Sequence, residues 1–324
     1  MGRILLIVVA LIAGASPPPA VGQDRPTTFV IVHGAWGGGW AWRGMERRLR
    51  AHGYEVLRPT LTGLGERMHL ASPQIGLSTH IEDVVNVLVF EDAHEVVLVG
   101  HSYGGMVATG VADRVPERIR RLVYLDALVP EDGESVADLM PGLIASVQEG
   151  ARARGRAREG FLVPYWSDPA APLPKDVDQS LRTLTEPIEL SSPPGAGLPV
   201  TYVLTREGAD SSDAFDWAAE RARRYGWDVR VMEADHVPYR TAPEALLDLL
   251  LELDPDGPST GGPPSLSLVP TPTPGQARKP EAIPARPTEE GGPPRRSRLL
   301  AFYRCASPPA DGRLELAGTT LIGR

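Results

Sequence analysis

The residues most able to do chemistry are Ser102, His236 and a set of carboxylates. Ser102 stands in Gly100-His101-Ser102-Tyr103-Gly104, which fits G-x-S-x-G. A Ser hydroxyl is a weak nucleophile until a base takes its proton. The chain has seven His. A base that follows the nucleophile and acid in chain order should lie late, and His236, in Glu233-Ala-Asp-His-Val-Pro238, occupies that place. The other six lie in strand-end loops (His33, His101) or on helices and loops with no matching position. A third group must hold the imidazole tautomer and stabilise the imidazolium. Glu207 is the first choice, because it follows the strand end Val203-Leu-Thr-Arg206 directly. Asp126, at the end of an earlier strand, and Asp210, just beyond Glu207, are the alternatives.

A developing oxyanion needs preorganised N–H donors. One should be the amide of Tyr103, immediately after the nucleophile. The other should come from His33-Gly-Ala-Trp-Gly-Gly-Gly-Trp40, with Ala35 as the chosen donor. Trp36 and Trp40, with Trp42 nearby, are expected to line an apolar substrate pocket.

Such groups must be held by a rigid frame, and the middle of the chain supplies one. Thr28–Val32, Tyr54–Leu57, Glu95–Val99, Arg121–Leu125, Pro199–Leu204 and Asp228–Met232 are short apolar, β-branched runs. Continuous apolar strands of this length suit a parallel sheet covered on both faces. Helical patterns lie between them: Trp42–His52, Thr79–Val89, Gly105–Val115, Ser212–Tyr225 and Pro243–Leu253. Thr79 and Glu82 have the spacing of a capping box. Strand and helix alternate, so the fold class is α/β. The interval between Val129 and Pro199 is too long for one crossover, and is expected to be a cap inserted over the sheet's C-terminal edge.

Both flanks differ from this middle. Arg3, the apolar run Ile4–Ala15 and Ala20-Val-Gly22 read as a secretory signal over 1–22, which implies a secreted or periplasmic protein. If uncleaved, the segment would give a weak membrane association. From Pro255 to Arg324 the chain is rich in Pro, Gly, Ser and Thr, as in Val269-Pro-Thr-Pro-Thr-Pro274. Such composition buries too little apolar surface to offset ordering entropy, so a disordered tail is expected.

Composition narrows the classes further. The single Cys closes no intrachain bridge. The net charge of -8 disfavours nucleic-acid binding through bulk charge. Hydrophobic residues at 42% suit a globule.

Together these motifs resemble the α/β-hydrolase superfamily, and more narrowly the bacterial esterases related to plant methylesterases and hydroxynitrile lyases. The likeness covers about Thr27 to Leu253. It rests on Phe29-Val-Ile-Val-His-Gly-Ala-Trp-Gly-Gly-Gly-Trp40, Leu61-Thr-Gly-Leu-Gly-Glu-Arg67, Thr79-His-Ile-Glu-Asp-Val-Val85, Gly100-His-Ser-Tyr-Gly-Gly105 and Leu122-Val-Tyr-Leu-Asp-Ala-Leu-Val-Pro130. The resemblance implies a mostly parallel sheet between helices, an inserted helical cap, a Ser-His-acid triad, no cofactor and no metal. It implies a serine carboxyl-ester hydrolase acting through an acyl-enzyme, while the acidic chain with its expected apolar pocket points to small to medium hydrophobic esters. Relatives usually carry Asp where Glu207 stands. The lyases carry a Thr after the His of the oxyanion loop and a Lys after the catalytic His. Here those positions hold Gly34 and Val237, which disfavours the lyase reaction. A non-catalytic small-molecule receptor on the same fold is the alternative of a different class.

Overall fold

The computed structural model describes residues 27–208, 214–255 and 257–258. The expected signal segment, almost all of the expected tail, and Asp210 lie outside the described residues.

Six strands form one parallel sheet: β1 (Thr28–Val32), β2 (Glu55–Leu57), β3 (Val96–His101), β4 (Ile119–Leu125), then β7 (Val200–Arg206) and β8 (Asp228–Glu233). Their spatial order is β2-β1-β3-β4-β7-β8. Side chains alternate across the sheet, and both faces are covered. Phe29 and Ile31 join Val97, Val99, Val123, Leu125 and Val203 on one face. There they meet Met45 and Leu49 of α1 (Arg43–Ala51) and Leu246, Leu247 and Leu250 of α9 (Pro243–Glu252). Val30 and Val32 join Leu98, Leu122, Tyr124 and Leu204 on the other. That face packs on α2 (Leu77–Phe90), α3 (Gly104–Arg114) and α7 (Asp216–Arg224). Burial on both sides explains why these strands read as unbroken apolar runs.

The expected capping box at Thr79 is not the start of α2. The helix begins at Leu77 with Gly76 as its N-cap. Glu186 serves the first turn instead: its carboxylate accepts from Ser78 N and Ser78 Oγ, both at 3.1 Å. A local sequence rule thus yields to a carboxylate more than a hundred residues away, which also favours the helix N-terminus by charge.

Between β4 and β7 the chain leaves the sheet. It forms α4 (Val136–Leu139), α5 (Leu143–Arg152), a two-stranded antiparallel pair β5 (Phe161–Leu162) and β6 (Gln179–Ser180), and α6 (Arg182–Thr185). Ser135 caps α4 in a reciprocal pair with Asp138. This excursion is pinned to the loop after β1. Trp36 N donates to Gln179 Oε1 at 2.7 Å, Trp36 Nε1 to the Leu162 carbonyl at 3.1 Å, and Val177 N to the Trp36 carbonyl at 3.0 Å.

Candidate active site

The sheet order decides what meets at its C-terminal edge. β3 lies between β1 and β4, so the loops after β1 and β4 flank the turn after β3. That turn carries Ser102, with φ +56°. Positive φ costs a residue with a Cβ about 1–3 kcal/mol, and such strain collects at functional sites. Five non-glycine residues have positive φ among those described, and three of them are Trp36, Ser102 and Asp126. The elbow closes because Gly104 lacks a Cβ: one placed there would sit 2.4 Å from the Val32 carbonyl oxygen.

Ser102 Oγ lies 3.0 Å from His236 Nε2. His236 Nδ1 lies 2.6 Å from Asp126 Oδ2. Ser102 is 4% exposed, His236 5% and Asp126 0%. Asp126 Oδ1 accepts from Thr205 N at 3.0 Å, so both carboxylate oxygens are engaged. Nδ1 is therefore the protonated nitrogen, and Nε2 presents its lone pair to the Ser102 hydroxyl.

Glu207, the first expectation for the acid, does not meet His236. It is exposed just past β7. The physical reason is the sheet order. Asp126 ends the strand adjacent to the nucleophile strand, and so reaches the imidazole from beneath. Asp126 was among the alternatives; Asp210 lies outside the described residues.

His236 sits on the loop between β8 and α8 (Pro238–Thr241). Asp235 shapes this loop through Oδ1, which accepts from Val237 N at 2.9 Å and Thr241 Oγ1 at 2.6 Å. Phe215 stacks parallel to the imidazole, with ring centroids 5.2 Å apart. His101 Nε2 donates to the main-chain carbonyl of His236 at 2.7 Å. Burial, then the neighbouring His236, holds His101 well below its ordinary pKa, so it is neutral. Residue order places His101 only in a strand-end loop; its position between Gly100 and Ser102 is the signal that it faces the same edge.

Ala35 lines the cavity at Ser102, and Tyr103 follows Ser102 directly in the chain. Neither amide donates to a protein acceptor among the described residues. Gly34 is packed against Ser102: a Cβ there would lie 3.1 Å from Ser102 Cβ and 3.1 Å from His101 Nδ1. The Tyr103 side chain points away, and its hydroxyl donates to His80 Nδ1 at 2.9 Å while His80 Nε2 donates to the Thr62 carbonyl.

The cavity at Ser102 is lined by Ala35, Trp36, Trp40, Trp42, His236 and Tyr239. Trp36 and Trp40 therefore do border it, although Trp36 is chiefly a clamp between the β1 loop and the excursion. The cavity is not wholly apolar, because Asp176 and Arg240 also reach it.

A model of the alpha/beta hydrolase family matches residues 29–249, more than two thirds of the chain. The chain belongs to the alpha/beta hydrolase family. Over 113 residues it is 56% identical to the carbendazim hydrolyzing esterase of Nocardioides sp. (strain SG-4G), covering 35% of this chain and 47% of that one. Over 257 residues it is 25% identical to the putative chloroplastic methylesterase 11 of Arabidopsis thaliana, covering 69% of this chain and 63% of that one. The matches thus span between about half and two thirds of these relatives' lengths. Among solved structures, an extracellular alpha/beta-hydrolase from a Paenibacillus species aligns with a TM-score of 0.58, at 24% identity, over 70% of this chain and 98% of that one. Tomato methylketone synthase I aligns with a TM-score of 0.55, at 18% identity, over 72% of this chain and 100% of that one. Likenesses this distant carry the fold.

Proposed function

We propose that the protein is a serine carboxyl-ester hydrolase with Ser102 as nucleophile, His236 as base and Asp126 as the acid that orients it. The observation that carries this reading is the continuous chain from Ser102 Oγ to His236 Nε2 at 3.0 Å and from His236 Nδ1 to Asp126 Oδ2 at 2.6 Å. The similarity to a carbendazim hydrolyzing esterase and to methylesterases supports the same chemistry.

His236 takes the Ser102 proton as Oγ attacks the ester carbonyl. The buried Asp126 carboxylate stabilises the imidazolium that forms. Charge developing on the carbonyl oxygen is met by the amides of Ala35 and Tyr103. Nε2–H then protonates the leaving alkoxide, and an acyl-enzyme remains on Ser102. Water repeats the sequence with the same base and frees the acid.

Gly34 argues against the lyase reaction. A Thr in its place would crowd Ser102 and His101. Val237 follows the base and brings no cation to stabilise a departing cyanide. A receptor that binds without turnover is the remaining reading. Purified protein with p-nitrophenyl acetate, an alkyl methyl ester and carbendazim separates the two. Turnover abolished by Ser102→Ala supports the hydrolase; binding without turnover of any of the three supports the receptor.

A further inference from the structure

The turn that follows Ala35 is strained. The Ala35 carbonyl accepts from Gly37 N at 2.8 Å, and Trp36 between them has φ +60°. A three-residue turn with positive φ at its centre is rare. Such a conformation persists only where its surroundings over-determine it. Every polar group of Trp36 is engaged, and each partner lies on the excursion between β4 and β7. Trp36 N donates to Gln179 Oε1 and Trp36 Nε1 to the Leu162 carbonyl, while the Trp36 carbonyl accepts from Val177 N.

Leu162 and Val177 act through main-chain groups, and Gln179 acts through its side chain. Gln179 is buried on β6. Its Nε2 donates to Thr183 Oγ1, buried on α6, at 2.8 Å. Thr183 in turn hydrogen-bonds the Tyr103 hydroxyl, which also meets His80 Nδ1 at 2.9 Å. One amide of the excursion therefore reaches both segments that carry the oxyanion donors. Its oxygen holds the Ala35–Trp36 peptide, and its nitrogen reaches Tyr103 through Thr183. A peptide is a rigid plane, so holding Trp36 N leaves only the torsions of Ala35 to set where the Ala35 N–H points. Gln179 is not among the residues that line the cavity at Ser102, so its effect passes through these neighbours.

We propose that Gln179 is a positioning residue for the oxyanion hole, whose side-chain amide sets the Ala35 and Tyr103 donors relative to each other from the excursion. This rests on the hydrolase reading, and it supplies what that reading needs, a reason for the donors to be preorganised. Preorganised donors act on the charge that develops on the carbonyl oxygen, so their loss falls on the transition state rather than on substrate binding.

The test compares p-nitrophenyl acetate with its thionoester, in which sulfur replaces the carbonyl oxygen. Sulfur is larger and a weaker acceptor, so well-placed N–H donors favour the ester. Gln179→Met keeps length and approximate volume but removes both hydrogen bonds. It should lower kcat for the ester about tenfold or more with KM within about threefold, and narrow the ester-to-thionoester ratio of kcat/KM about fivefold or more. A loss of folded protein or a displaced triad lowers both substrates alike, so a merely structural role would leave the ratio unmoved. Thr183→Val breaks the link to Tyr103 at nearly constant shape, and Thr183→Ser restores the hydroxyl. The ratio should narrow about threefold in the first and recover in the second, and this pair decides the matter if Gln179→Met does not fold. Unchanged ratios in Gln179→Met and Thr183→Val, beside an active wild type, would overturn the inference and leave the hydrolase reading standing. A wild type without Ser102-dependent turnover would overturn the hydrolase reading and the inference with it.

Discussion

His101 and His236 are joined side chain to main chain: the ring of the residue before the nucleophile donates, at 2.7 Å, to the carbonyl of the base. The two rings also lie 4.8 Å apart, tilted by 37°. The link ties the β8 loop to the elbow after β3, so the separation of Ser102 Oγ and His236 Nε2 depends on it. Trp42 and Tyr239 enclose the His101 ring edge-on and fix its plane.

His101→Ala should therefore lower kcat by about 10²-fold while changing KM little, since a displacement of about 1 Å at the base is enough. His101→Gln keeps a side-chain donor of similar reach and should recover part of the loss. Steady-state kinetics of both variants across pH 6 to 9 checks this. An equal loss in both would show that the ring packs rather than positions.

The carboxylate assignment is tested by exchange at two sites. Asp126→Asn should cut kcat by about 10³- to 10⁴-fold, because the amide loses the charge that stabilises the imidazolium and favours the wrong tautomer. Glu207→Gln should stay within about threefold of wild type, as exposed substitutions away from such networks usually do. Kinetics on one ester with circular dichroism controls decides it. A crippled Glu207→Gln beside an active Asp126→Asn would reverse the assignment.

These two variants also mark what was legible in the chain itself. The elbow is a local pattern: a β-branched run, then Gly100 to Gly105, and nothing distant is needed to read it. His236 is legible from chain order. The acid is not, because its identity depends on which strand end faces Nδ1, and that follows from sheet order. β4 sits between β3 and β7, a relation that hydrophobic periodicity leaves open. The start of α2 is misread for the same reason, since Glu186 reaches it from the excursion. The strands β1, β3 and β7 are legible because each is buried on both faces along almost its whole length and so largely apolar.

Gly34 should not tolerate a side chain. With its would-be Cβ 3.1 Å from both Ser102 Cβ and His101 Nδ1, Gly34→Thr must shift the nucleophile or the loop that carries Ala35. The expected result is a loss of about tenfold or more in kcat with the melting temperature little changed. The variant should gain no mandelonitrile cleavage, since Val237 still follows the base. Ester kinetics, a cyanide-release assay and a thermal melt check the three parts.

Acid should destabilise the fold through buried histidines. Burial lowers His33 and His80 from 6.5 to about 4. The unfolded chain therefore binds more protons than the native one between those values, so stability is full above pH 6.5 and falls as the pH drops toward and through 4. Each His accounts for about 3 kcal/mol across that window. His80→Gln removes one titrating group and should flatten the slope of stability against pH. Urea unfolding at pH 4.5, 5.5, 6.5 and 7.5 for both proteins gives the slopes. An unchanged slope in the variant would exclude His80 as a source.

The central claim is that a Ser102 made nucleophilic by His236 forms a covalent intermediate. The most direct measurement is labelling by a fluorophosphonate, followed by intact-mass analysis and peptide mapping. The account predicts one adduct per chain, on Ser102, absent in Ser102→Ala and slowed by at least about 10³-fold in His236→Ala. Ester turnover by protein that takes no label, or label on a residue other than Ser102, would contradict it.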